Sequence, residues 1–124
     1  MEPSVQEAPH LALVDNHYQV QGLNILDICE QYGSPLFVYD ADMIRYKYNQ
    51  MIEAFNGLPM KIKYPVKALS NLSILKWFKK LGAGLDTVSL QEVRLGLRAG
   101  FAPEEIIYTP NCVSFEEIQA AVEM

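Results

Sequence analysis

The chain has 124 residues, 50% hydrophobic and 20% charged, which is enough for one domain with a core and too apolar for gross disorder. A net charge of -5 and a pI near 4.9 exclude a basic surface for nucleic acid or anionic membrane, because only Lys79-Lys80 cluster. Cys29 and Cys112 stand far apart without ligand spacing, which excludes a zinc motif or disulfide framework and predicts two buried free thiols.

Residues 1–16 read as a flexible tail, with Pro3, Pro9 and several acids but no basic segment followed by an apolar core. No apolar run approaches the ~20 residues that cross a bilayer, so no membrane partner and a reducing cytoplasm are expected. His10 and His17 lack neighbouring ligands and are assigned no role. Residues 17–35 predict a short strand and a helix. His17-Tyr18-Gln19-Val20-Gln21 alternates weakly, and Leu26, Ile28 and Cys29 suit a helix over 24–32 that starts at Asn24 or Asp27 and stops at Gly33-Ser34-Pro35.

From 36 to 124 a strand and a helix alternate four times. Leu36-Phe37-Val38-Tyr39 is the first strand, and Asp40 caps a helix to about Phe55 that Asn56-Gly57-Leu58-Pro59 closes. Residues 60–66 are the second strand, with Met60, Ile62, Tyr64 and Val66 on a helix-facing side. Lys61, Lys63, Pro65 and Lys67 share the other side, which would look into a polar ligand space. A helix over 71–81 follows, with Leu72, Leu75, Phe78 and Leu81 in one stripe and Gly82 as its stop. The third unit is a strand over 84–88, then Ser89 with Glu92 as a capping box and a helix to Ala99 ended by Gly100. The fourth is a strand over 106–109 and a helix opened by Ser114 with Glu117, which meets no stop before Met124.

Such alternation requires a parallel sheet, in a doubly wound fold or a (β/α) barrel. Four units are half of the eight that close a barrel of about 250 residues, so a barrel parent makes this chain its first half. Ligands in α/β folds meet residues at the carboxyl ends of strands, where Asp40, Lys67, Asp86, Ser89 and Asn111 stand. No glycine-rich phosphate loop and no Ser-His or Cys-His pair is present. A strand-end lysine beside an acid from the next strand suits Schiff-base chemistry with a carbonyl cofactor.

Tyr64-Pro65-Val66-Lys67-Ala68-Leu69-Ser70-Asn71 resembles the Tyr-Ala-Val-Lys-Ala-Asn-Ser-Asn signature of pyridoxal-phosphate decarboxylases with an alanine-racemase-like barrel. Three further blocks are similar, in order and spacing, to the diaminopimelate decarboxylases of that group: Tyr32 to Asp40, Gly82 to Ser89 with Glu92, and Ile107 to Asn111. The chain departs from the pattern at Pro65, Leu69, Leu90-Gln91, Pro110 and Val113, none of which removes the lysine.

The resemblance implies an α/β chain that is the N-terminal half of a (β/α)8 barrel of the alanine-racemase-like type, preceded by a short strand and helix. It implies pyridoxal 5'-phosphate bound covalently by Lys67, with Asp86 near the cofactor amine, Ser89 and Asn111 as further cofactor contacts, and no metal. The implied activity is decarboxylation of meso-diaminopimelate to L-lysine in lysine biosynthesis, by a cytoplasmic homodimer. Residues 17–23 would lend a strand to a second, β-rich domain. Three other readings remain: a related decarboxylase of ornithine, arginine or carboxynorspermidine; a non-catalytic single-barrel cofactor-binding protein; and a small doubly wound domain in which Lys67 is only a charge.

Overall fold

A computed structural model describes residues 10–124, which divide between Asn56 and Gly57 into two compact units. In the first unit, β1 (Leu11–Val14), β2 (His17–Val20) and β3 (Leu23–Asn24) form an antiparallel meander. Leu11 pairs with Val20, Val14 with His17, and Val20 with Leu23. Both connections are two-residue turns in left-handed backbone, Asp15-Asn16 at φ 48° and 63° and Gln21-Gly22 at 51° and 77°. Positive φ at both turn residues matches the right-handed twist of the flanking strands, and Asn, Asp and Gly tolerate it best.

The expected tail over 1–16 is therefore wrong for Leu11–Val14, which form β1. Residues 1–9 lie outside the described residues. α1 (Ile25–Tyr32) starts at Asn24, whose side chain accepts the amide of Leu26 at 2.9 Å. α2 (Ala41–Ala54) starts at Asp40. Leu36-Phe37-Val38-Tyr39 joins no strand ladder among the described residues, and Phe37 is 85% exposed. Apolar content marks a segment as strand-like, but a strand exists only where a neighbour supplies hydrogen bonds.

The second unit carries β4 (Lys63–Pro65), β5 (Gly84–Thr87) and β6 (Ile106–Tyr108) as a parallel sheet with β5 central. Tyr64 registers with Leu85 and Leu85 with Ile106. α3 (Leu72–Leu81) and α4 (Leu90–Ala99) connect the strands, and α5 (Phe115–Val122) follows β6. Parallel strands need such long crossovers, since a hairpin cannot return the chain in the same direction.

The core lies between sheet and helices. Val66, Leu75 and Leu85 are fully buried, with Ala99 and Phe101 beside them and Tyr64, Leu72, Leu95 and Ile106 packed on the cluster. Each fully buried aliphatic side chain contributes roughly 1.5–3 kcal/mol. Tyr64 stacks on Phe78 at 3.9 Å between ring centroids, as the alternation of residues 60–66 requires. Gly96 lets α4 approach closely, because a Cβ there would stand 2.7 Å from Leu85 Cδ1 and 3.0 Å from Ile106 Cδ1.

Two expectations about the second unit are corrected. β4 is shorter than 60–66, since Val66–Ala68 close into a 3-10 turn and only Lys63–Pro65 pair. Lys61 and Lys63 do not look into a ligand space at the carboxyl ends, because both turn to Glu105 at the amino ends. Cys29 is half-buried and Cys112 exposed, against the expectation of two buried thiols.

Candidate functional site

At the carboxyl ends of the parallel strands the chain assembles a lysine, a carboxylate and a hydroxyl. Lys67 sits in the 3-10 turn that directly follows β4, and that turn lies against β5. The turn buries Val66 completely, anchoring the lysine's neighbour in the core while Lys67 itself is exposed. Tyr64 adds a second anchor, its hydroxyl donating to Leu69 O at 3.3 Å across the turn. Among the described residues Lys67 has neither a hydrogen bond nor an ion pair.

Asp86 stands on the central strand, in register with Pro65 of β4 and Ile107 of β6. Leu85 and Thr87 on either side of it are fully buried, so alternation turns Asp86 to the face away from the helices. Its Oδ1 accepts the hydroxyl of Thr109 at 2.7 Å. Lys67 and Asp86 thus occupy the carboxyl ends of adjacent parallel strands, as the order of the units predicts.

The other expected residues fall differently. Ser89 is the N-cap of α4, its Oγ accepting the amide of Glu92 at 3.3 Å while Glu92 Oε2 accepts the amide of Val88 at 2.7 Å. Its hydroxyl is engaged in holding the helix start. Asn111 is exposed just beyond β6 and makes no hydrogen bond among the described residues. The reciprocal bond of the Ser89 capping box thus goes to Val88 and not to the cap's own amide, and at α5 too only half of the expected capping box forms. Ser114 accepts the amide of Glu117 at 3.3 Å, but the Glu117 carboxylate accepts Tyr108 OH at 3.0 Å instead of closing on the cap.

Asp40 serves in the first unit as the cap of α2. Its Oδ1 accepts the amides of Asp42 and Met43, and its Oδ2 accepts Gln21 Nε2 at 2.9 Å. Burial pushes its pKa up, but the bonds from Met43, Gln21 and Asp42 and the charge of His10 together hold it below the usual value.

Sequence reasoning missed Thr109, which touches Asp86 through its hydroxyl. The available signal was its place two residues after Ile107, at the carboxyl end of the strand that follows Asp86. It also missed the cluster at the opposite end of the sheet, where Lys61, Lys63 and Lys79 gather around Glu105. No group of His, Cys, Asp and Glu suited to a metal occurs among the described residues. No helix among them is long and apolar enough to cross a membrane.

Lys67, without an ion pair among the described residues, and Asp86 on the neighbouring strand are groups that Schiff-base chemistry with a carbonyl cofactor can use. Residues 41–124 match the family described as pyridoxal-dependent decarboxylase, pyridoxal binding domain. The chain belongs to that family, whose cofactor is pyridoxal phosphate.

Among its relatives, the chain is 35% identical over 109 residues to the diaminopimelate decarboxylase of Methanothermobacter thermautotrophicus, covering 86% of this chain and 26% of that protein. It is 32% identical to the enzyme of the same name from Aquifex aeolicus, covering 99% of this chain and 29% of the relative. The crystal structure of diaminopimelate decarboxylase from Methanocaldococcus jannaschii in complex with L-lysine superposes with a TM-score of 0.86 at 30% identity, over 94% of this chain and 28% of that one. The chain thus spans between a quarter and a third of the length of these relatives.

Proposed function

We propose that the chain is the amino-terminal half of the (β/α)8 barrel of a diaminopimelate decarboxylase, and that Lys67 is the residue that binds pyridoxal phosphate covalently. The observation that carries this reading is Lys67 itself, exposed and without a partner among the described residues in the turn after β4, beside the strand that bears Asp86. The similarity to diaminopimelate decarboxylases, one of them solved with L-lysine, supports meso-diaminopimelate as substrate and L-lysine as product. Ile107, 45% exposed on the edge strand β6, and Phe115 and Val122, 74% and 82% exposed on α5, support a barrel in which further units cover these faces. The antiparallel sheet β1 to β3 supports a two-domain enzyme over a single-barrel binding protein. A cytoplasmic homodimer completes the reading.

When bound, the cofactor supplies the electron sink that accepts the bonding pair as the substrate's Cα–carboxylate bond breaks, carbon dioxide leaves and a proton returns to Cα. This chain's residues supply the rest. Lys67 offers an amine that no anion among the described residues holds in an ion pair. Asp86 places a negative charge on the face away from the helices, where it favours a protonated amine at the cofactor. Ser89 and Glu92 fix the start of α4 and so the corner that follows Asp86. Asn111, exposed after β6, is assigned a weaker contact to the cofactor.

The test is to express the complete reading frame, supply pyridoxal phosphate and meso-diaminopimelate, and measure carbon dioxide and L-lysine. Stoichiometric release of both is expected. Cofactor uptake without turnover would leave a binding protein, and turnover of ornithine in preference to diaminopimelate would overturn the substrate.

A further inference from the structure

We propose that Thr109 is a positioning residue for Asp86: its hydroxyl holds one carboxylate oxygen so that the other is presented to the amine chemistry at Lys67. The inference rests on the reading of Lys67 and Asp86 given above and adds to it a residue that acts through the carboxylate.

The corner where Thr109 sits is pinned from two directions. Its amide donates to Thr87 O at 2.8 Å, extending the β5–β6 ladder one step beyond Tyr108. In return Thr87, fully buried, donates its hydroxyl to Ile107 O at 2.9 Å. These bonds already fasten β6 to β5, so the Thr109 hydroxyl is not needed for that purpose. The hydroxyl has one hydrogen and two acceptors in reach, Asp86 Oδ1 at 2.7 Å and Thr87 O at 3.4 Å. The shorter contact, to a charged acceptor, takes the hydrogen. Threonine's β-branch makes its χ1 stiff, so the donor stays aimed.

Asp86 in turn has one protein donor among the described residues, and it engages Oδ1 alone. A carboxylate offers about four acceptor sites on two oxygens. With Oδ1 held, rotation about the Asp86 side chain is checked and Oδ2 is left for an amine of cofactor or substrate. Valine at 109 would keep the shape and the backbone bond while deleting the donor, whereas serine would keep the donor.

The experiment compares Thr109→Val, Thr109→Ser, Asp86→Asn and the Thr109→Val/Asp86→Asn double variant in the complete, cofactor-loaded protein. It also measures equilibrium binding of pyridoxal phosphate to each apoprotein. A lost hydrogen bond to a charged group predicts that Thr109→Val lowers kcat/KM roughly 10- to 100-fold and weakens cofactor binding. Thr109→Ser is expected to restore both, and on the Asp86→Asn background the valine is expected to have no further effect. Thermal melting checks that the valine and serine variants fold alike, and Thr109→Ala, read the same way, replaces a valine variant that does not fold.

Wild-type kcat/KM and affinity in Thr109→Val, equal losses in valine and serine, or losses additive with Asp86→Asn would each overturn the inference. A wild-type protein that neither takes up pyridoxal phosphate nor releases carbon dioxide would instead overturn the underlying reading.

Discussion

The two ends of the parallel sheet hold the same kinds of group and use them in opposite ways. At the amino ends, Lys61, Lys63 and Lys79 converge on Glu105, with Lys61 Nζ 3.7 Å from one carboxylate oxygen, Lys79 on the other, and Lys63 Nζ donating to the Glu105 carbonyl at 2.8 Å. At the carboxyl ends, Lys67 has no such partner among the described residues, and Asp86 has only the neutral hydroxyl of Thr109. A paired lysine is a structural tie, and an unpaired one keeps its amine for chemistry. On the proposed reading a lysine's role follows from which end of the strand it occupies, since Lys63 and Lys67 lie four residues apart on one segment.

The largest expected effect breaks the carboxyl end. Lys67→Ala and Lys67→Arg are each expected to abolish decarboxylation by the complete protein, because arginine keeps the charge but has no nucleophilic amine. Lys61→Ala, at the amino end, is expected to retain activity. Steady-state assays of the three variants decide it, and near-normal turnover in Lys67→Arg would reduce Lys67 to a charge.

The next effect breaks the amino end. A Cβ at Gly84 would stand 2.5 Å from Glu105 O and 2.6 Å from Lys63 Cδ, so Lys63 reaches its partner by crossing directly over Gly84. Gly84→Ala is expected to destabilise the protein by about 1–3 kcal/mol, as overpacking does, read as a fall in denaturant midpoint. Gly96→Ala, which meets Leu85 and Ile106, is expected to fall in the same range of about 1–3 kcal/mol.

How far the comparison was legible in sequence differs with the reach of each interaction. Lys67 after β4, the Ser89 cap and the stops at Gly82 and Gly100 are set by residues a few positions apart, and the structure places them as expected, with Asn71 capping the helix expected over 71–81. The bonds of Thr109 to Asp86 and of Lys63 to Glu105 join residues 23 and 42 positions apart, so they depend on strand register, which alternation does not encode. β1 was missed because Asp15-Asn16, a hairpin turn pair, stands beside a proline-bearing acidic stretch that reads as a tail. Leu36 to Tyr39 shows the converse error, a strand-like pattern without an assigned ladder partner.

A smaller effect sharpens the amino end by pH. The Lys79 bond, the Ala102 amide and the charges of Lys79 and Lys61 hold the Glu105 carboxyl at about 2, below its ordinary 4.5. A depressed pKa contributes stability that is full above the unfolded value and is lost as pH falls through the folded one. The Glu105 contribution is thus expected in full above pH 4.5 and gone by about pH 2. Glu105→Gln is expected to flatten this part of the acid limb in melting experiments, and an unchanged limb would count against the cluster. The smallest effect is at the helix cap, where Ser89→Ala is expected to lower stability by about 1 kcal/mol with cofactor binding retained.

The most direct test of the account uses the complete protein loaded with pyridoxal phosphate, reduced with borohydride, digested and mapped by mass spectrometry. Reduction fixes the cofactor to whichever lysine holds it. The reduced cofactor is expected on Lys67, with Lys61, Lys63 and Lys79 unmodified. Label on Lys61, Lys63 or Lys79, or no label at all from a protein that decarboxylates, would contradict the division of labour between the two ends of the sheet.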